Sequence, residues 1–242
     1  MTNNLHFLVN RFGGTGDPTN FGQELYDITG YSRHSWRPAR VPFSDQLTAT
    51  ITNPNRQRDR NVINLWKEYD AENKVDNAGD GVKTRSFNYI LCDPEILGNN
   101  EEELTLGRFA ESIFYVGKGS GYRPFHHFRE VKRKIRDGTT VEIQHLKEHA
   151  INQIWRAGEG VVWMQFGHSL SDNEAYNREA CIISAIGVNN LTNVNTGELH
   201  GRCDTQWNDV MKDEYGTYLL NMALGIMKLE GINSLKPGNV VL

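Results

Sequence analysis

The chain has 242 residues, 38% hydrophobic and 23% charged, with three cysteines and a formal net charge of −4. That length buries a real core but excludes a repeat array or a large multidomain machine, and no apolar run approaches the roughly 18–20 residues of a membrane span. Cys92, Cys181 and Cys203 are too few and too widely spaced for a disulfide framework or a Cys-x-x-Cys zinc pair, and Met1-Thr2-Asn3-Asn4 lacks the features of a secretory signal, so an intracellular, non-secreted protein is expected.

Residues 1–84 are polar, rich in Asn and Arg, and weakly periodic. His6-Phe7-Leu8-Val9 reads as a strand, Leu47-Thr48-Ala49-Thr50-Ile51 alternates in the manner of a strand, and Val62 to Tyr69 reads as a short helix. Asp76 to Gly81 is a turn-rich break and the preferred domain boundary. Phe87 to Cys92 is then a strand closed by Asp93-Pro94, Gly98 to Glu103 a solvated acidic loop, and Ser112 to Val116 a second strand stopped by the glycines of Gly117-Lys118-Gly119-Ser120-Gly121. The spacing predicts a helix from Pro124 to Gly138 and another from about Val141 to Ala157, with Ile143, Leu146, Ala150 and Ile154 on one stripe. Gly160 to Phe166 is the third strand. Ser171 and Glu174 have capping-box spacing before a helix that halts at Gly187, and a last helix, roughly Glu214 to Glu230, brings Tyr218, Leu219, Met222, Ile226 and Leu229 onto one face. The order is α+β, with a small three-stranded antiparallel sheet flanked by helices.

The net charge hides a local asymmetry. Lys118 to Arg156 holds nine Lys/Arg against four Asp/Glu, a local excess of +5, which suits a polyanionic partner. Within it, Phe114 to Phe128 carries a glycine-rich backbone that can approach a ligand closely, followed by Lys118, Arg123 and His127. Arg123 and His127 share a face at a helix start, where free amides favour an anion. Bland readings compete: the glycine loop as a tight turn, His126-His127 as surface histidines, and Lys132-Arg133-Lys134 as a solvated face. Glu179 stands among Ala175, Ala180, Ile182, Ile183 and Ile186, and a carboxylate near an apolar face needs an arginine or a metal ion.

Tyr89, Tyr115-Val116-Gly117, Arg123 with His127, Glu179 and Asn193 resemble, in order, the motifs of GIY-YIG endonucleases. The forms Phe114 to Gly119, Arg178 to Cys181 and Leu191 to Asn193 look most like the subfamily carrying ankyrin repeats and a LEM domain, and the resemblance runs from about residue 85 to 242. It departs at Phe87-Asn88-Tyr89, where the first triplet keeps only its tyrosine, and neither ankyrin repeats nor a LEM domain is recognisable in residues 1–84. The resemblance implies a GIY-YIG fold with an N-terminal extension of open role (1–84), a nuclease domain (85–198) and a C-terminal helical segment (199–242). It also implies a nuclear or cytoplasmic endonuclease for branched DNA, using Mg²⁺ with Mn²⁺ as a substitute and no small-molecule cofactor; protein partners are left open. Glu179 would hold the metal, Tyr115 would be the base with Tyr89 or His127 in support and His127 as the alternative base or leaving-group contact, Arg123 would clamp the phosphate, and Asn193 would orient the metal shell or the phosphate. Lys118, Arg123, Arg129, Lys132, Arg133 and Lys134 would contact DNA. A sequence-specific nuclease and a non-cleaving DNA-binding module are the alternatives.

Overall fold

The computed structural model describes residues 40–75, 83–100, 102–139, 141 and 146–242. The strand expected at His6 to Val9, the break at Asp76 to Gly81 and the stripe residue Ile143 lie outside the described residues.

In chain order the described elements are α1 (Asp45–Thr52), α2 (Arg60–Val75), β1 (Ser86–Cys92), α3 (Pro94–Leu97), α4 (Leu106–Ser112), β2 (Ile113–Ser120), α5 (Arg123–Arg136), α6 (Leu146–Arg156), β3 (Val161–Leu170), α7 (Asp172–Ile186), α8 (Arg202–Thr205), α9 (Asp209–Glu230) and β4 (Ser234–Leu235). β1 is buried along its whole length, and its alternation divides the core in two. Phe87, Tyr89 and Leu91 join Phe114, Phe128, Ile151 and Trp155 on the side covered by α5 and α6. Ile90 and Cys92 face the other way, into a larger cluster with Val116, Ile182, Ile183, Tyr215 and Leu219 beneath α7 and α9. The strand order is β2-β1-β3-β4, all antiparallel. The expected three strands are there, and the short β4 adds a fourth by pairing Ser234 and Leu235 with Val162 and Val161.

Several expectations need correction. Leu47 to Ile51 is helix, not strand: Ser44 caps α1 by accepting from the Leu47 N–H, and the buried side chains are Leu47 and Thr50, three residues apart on one helical face. β2 does not stop at Gly117 but runs on to Ser120, because Gly117 and Gly119 stay in register opposite Tyr89 and Phe87. Ser171 caps α7 by accepting from the Glu174 N–H at 3.1 Å, but the Glu174 carboxylate turns to Arg178 at 3.4 Å, so only half of the capping box forms. The last helix begins at Asp209 under an Asn208 cap, and Leu229, expected on its buried face, is 88% exposed. α9 is enclosed on more than one side, which brings Tyr215, Leu220, Ala223, Leu224 and Met227 into the core as well.

α7 and α9 touch so closely that a Cβ built at Gly216 would stand 2.0 Å from the Cys181 carbonyl oxygen. Backbone cannot yield as a flexible side chain does, so Gly216→Ala should force the helices apart and cost about 2 kcal/mol or more. Urea denaturation of the variant checks this; an unchanged midpoint would show that the contact is not tight.

α1 and α2 belong to the same packing. Leu47 and Tyr69 lie in the larger core cluster. Arg56 donates to Glu214 at 2.7 Å and the Trp66 indole N–H donates to the same carboxylate at 2.6 Å. Asp70 accepts from Arg178 at 2.8 Å and from the Tyr215 hydroxyl at 2.9 Å, and Asn177 donates to Asn73 at 2.8 Å.

Candidate active site

The antiparallel register places Tyr89 opposite Gly117 and Leu91 opposite Tyr115, and the Tyr89 and Tyr115 rings lie 5.9 Å apart. The Tyr89 ring covers Gly117 so closely that a Cβ there would meet its Cζ at 2.6 Å. Glycine is therefore fixed at 117 by an aromatic neighbour across the strand pair rather than by a turn. Burial pushes both tyrosines above their ordinary range, while a hydrogen bond from Tyr89 and the charge of Arg123 pull Tyr115 back down.

α5 starts at Arg123 with Pro124 in its first turn, and His127 follows one turn later. His127 Nε2 is 3.3 Å from the Tyr89 hydroxyl and 3.0 Å from Lys147 Nζ of α6. The Lys147 ammonium can only donate, so Nε2 offers it a lone pair and the ring proton sits on Nδ1. Burial, reinforced by Lys147 and Arg123, pushes His127 down to about 3, so the imidazole is neutral at neutral pH. Lys147 is itself lowered to about 8 by burial, against the pull of Glu148 and Glu130, and its Nζ stands 4.1 Å over the Tyr115 ring.

α7 brings Glu179. Asn88, buried in β1, donates from Nδ2 to the Ala175 carbonyl at 2.9 Å and fixes the helix one turn before Glu179. The carboxylate accepts from the Lys118 backbone N–H, yet burial outweighs this and the charges of Arg123 and Lys118 and pushes it up to about 7. The Lys118 ammonium pairs with Asp172 at 2.9 Å and lies 3.9 Å over the Tyr176 ring. Asn193 holds β2 through both amide atoms: Oδ1 accepts from the Val116 N–H at 3.0 Å and Nδ2 donates to the Val116 carbonyl at 2.7 Å.

Tyr89, Tyr115, Lys118, Arg123, His127, Glu179 and Asn193 all line one pocket of about 510 Å³. Lys147 lines it too, although the sequence reading passed it over. The signal was there: Lys147 stands at helical spacing with the buried Ala150, Ile151 and Ile154, a charge on an apolar stripe, the same oddity that singled out Glu179. The rest of the basic run points elsewhere. Arg129 donates to the Val241 carbonyl at 3.0 Å, Lys132 donates to the Val240 carbonyl at 2.6 Å, Lys134 pairs with Glu148, and Arg133 is exposed.

Residues 86–241 match the family model of the LEM-3-like GIY-YIG domain. The chain belongs to this family. Its GIY-YIG domain has the fold of a DNA endonuclease, and its pocket gathers the tyrosines, arginine and glutamate expected from the motifs. The chain is 40% identical over 174 residues to an ankyrin repeat and LEM domain-containing protein 1 homolog of Caenorhabditis elegans, covering 72% of this chain and 25% of that protein. It is 32% identical over 197 residues to the human ankyrin repeat and LEM domain-containing protein 1, covering 77% of this chain and 31% of that one. The mouse protein of the same name is 32% identical over 168 residues, covering 66% of this chain and 31% of that protein. The chain thus spans a quarter to a third of the length of these relatives. No solved structure matches it significantly. Among the described residues no helix is long and apolar enough to cross a membrane.

Proposed function

We propose that this GIY-YIG domain hydrolyses phosphodiester bonds in DNA with the help of a divalent cation, Mg²⁺ or in its place Mn²⁺, and that it prefers branched DNA such as flaps, junctions and bridges. The observation that carries the reading is the convergence of Tyr115, Arg123, His127 and Glu179, from three separate elements, on one open pocket. The preference for branched DNA rests on the resemblance to the ankyrin-repeat and LEM-domain subfamily, and a nuclear location accords with the LEM-domain names of the relatives.

The donor set fits a hard cation held sparingly. Among the described residues no three His, Cys, Asp or Glu side chains cluster to hold an ion. Glu179 instead offers a single carboxylate that its neighbours leave under-compensated, with Glu198 also lining the pocket. That suits an ion which keeps most of its water and leaves room for phosphate. When bound it would neutralise charge developing on the phosphoryl oxygens.

The chain's own groups then divide the work. Arg123 clamps the scissile phosphate with its fork of donors. Tyr115 takes the proton of the attacking water, helped by the hydrogen bond from Tyr89. His127 is a poor base beside it, because its Nε2 lone pair already accepts from Lys147 and burial holds it at about 3. We assign Asn193 to positioning β2, since both of its amide atoms are committed to Val116. Of the basic residues, Lys118 and Arg123 face the substrate most directly, with Arg133 free to reach the backbone further out.

Purified protein incubated with flaps, four-way junctions, single strands and linear duplexes, with Mg²⁺ and with chelator, tests the reading. Cleavage of flaps or junctions that disappears with chelator is the expected result. Cutting of linear duplexes at defined sites would instead favour a sequence-specific nuclease, and cleavage unaffected by chelator would overturn the metal.

A further inference from the structure

We propose that Lys147 is a positioning residue for cleavage: its half-buried ammonium supplies the fixed positive charge beside Tyr115 that lets Tyr115 act as the base. The inference rests on reading the pocket as a nuclease site, and it concerns a residue of α6 that none of the sequence motifs contains.

Burial raises the half-buried Tyr115 phenol above its ordinary range, so a base role requires a cation close by. Three cations line the pocket: Lys118, Arg123 and Lys147. Lys118 is neutralised by Asp172 at 2.9 Å and drawn toward Tyr176. Arg123 does pull Tyr115 down, but it is exposed at the start of α5, where a phosphate would take up its charge. Lys147 Nζ stands 4.1 Å from the centre of the Tyr115 ring and 3.0 Å from His127 Nε2. Among the described residues no carboxylate reaches it at ion-pair distance; of the carboxylates whose charge acts on it, Glu148 and Glu130 are both engaged by Lys134, and Glu179 acts more weakly. A half-buried cation held by a ring face and an imidazole lone pair keeps its field for whatever negative charge appears next to it. Here that charge is the Tyr115 phenolate. Tyr115 releases its proton to solvent before the cleavage step; the phenolate oxygen then takes one from the water as that water's oxygen bonds to phosphorus, the P–O bond to the leaving sugar oxygen breaks, and the leaving oxygen is protonated from solvent.

The contact with His127 contributes in the same direction. By occupying the Nε2 lone pair, Lys147 keeps the imidazole from competing for the water's proton and holds it against Tyr89, whose hydroxyl supports Tyr115.

The test compares the full chain with Lys147→Met, Lys147→Gln and Lys147→Arg in steady-state cleavage of a flap or junction with Mg²⁺, alongside melting curves. Lys147→Met and Lys147→Gln should lower kcat about 100-fold while KM stays within about twofold, with melting temperatures at or above wild type because a partly desolvated charge has gone. Lys147→Arg, which keeps the charge, should recover kcat to within about tenfold of wild type. A kcat for either neutral variant close to that of wild type would overturn the proposal. So would a loss of kcat matched by a fall in melting temperature, or an arginine variant no better than methionine. Failure of the wild-type protein to cut any DNA would strike the nuclease reading instead, and the two failures are told apart by that control.

Discussion

Glu179→Gln is expected to fold as wild type and to lose about 1000-fold in cleavage rate, the largest catalytic effect of any single substitution in the pocket. Glutamine keeps the shape of the side chain and a hydrogen-bond acceptor for the Lys118 N–H, but it removes the charge on which a cation depends. Stability should not suffer, since the ionised carboxylate is costly where it stands: burial pushes its carboxyl up to about 7. That elevation has a sign. Below pH 7 the carboxyl is protonated, so a cation must displace a proton to bind; above it the site is already charged. The Mg²⁺ concentration for half-maximal rate should therefore rise about tenfold for each pH unit below 7 and level off above. Titrations with Mg²⁺ between pH 6 and 8.5 measure it. Residual activity within tenfold of wild type in Glu179→Gln, or a Mg²⁺ requirement that is flat from pH 6 to 7, would remove Glu179 from the metal site.

Asp70→Ala should cost about 3–5 kcal/mol, because it strips a buried cation of its main partner. Arg178 is 3% exposed and meets Asp70 at 2.8 Å; its other carboxylate, Glu174, is at 3.4 Å. Burial alone would raise the Asp70 carboxyl, but Lys74, Arg178 and Tyr215 together hold it below its usual range. The pair joins α2 to the turn of α7 that precedes Glu179, so the damage is expected to reach the pocket as well as the fold. A chain cut back to the family-matched residues 86–241 would lose Asp70, Arg56 and Trp66 at once, leaving Arg178 and Glu214 buried without them. Chemical denaturation of Asp70→Ala and of the shortened chain gives the numbers. A difference under 0.5 kcal/mol for the point variant would mean that the network relaxes around the gap.

Sequence and structure agree where a local rule and the tertiary fold point the same way. β1 and β3 were legible because short runs of apolar and aromatic residues stand between turn signals, and α5 and α7 because Pro124 and Ser171 mark their starts. α1 was misread because Thr48 and Thr50 alternate with apolar neighbours, and the deciding Ser44 cap is a weaker signal than the alternation. α4, only seven residues long under Thr105, offers too few turns for a periodicity. In the site, each residue carried by a motif reaches the pocket. What stayed hidden was set by packing between elements distant in sequence: Lys147 against Tyr115 and His127, Asn193 against Val116, and the pull of Val240 and Val241 on Lys132 and Arg129. Charge counting could not tell a cation that grips a carbonyl from one that waits for a phosphate.

The grip of Asn193 on Val116 has a consequence for how the protein behaves in concentrated solution. β2 is an edge strand, with one side bonded to β1 and the other facing the 192–193 segment. Unpaired edges invite another chain to add a strand. Here Thr192 gives both its N–H, at 2.7 Å, and its hydroxyl, at 2.9 Å, to the Phe114 carbonyl, and Asn193 takes up both backbone groups of Val116. Two residues thus imitate a partner strand along the stretch that carries Tyr115, closing to self-association the edge that must stay open to a substrate.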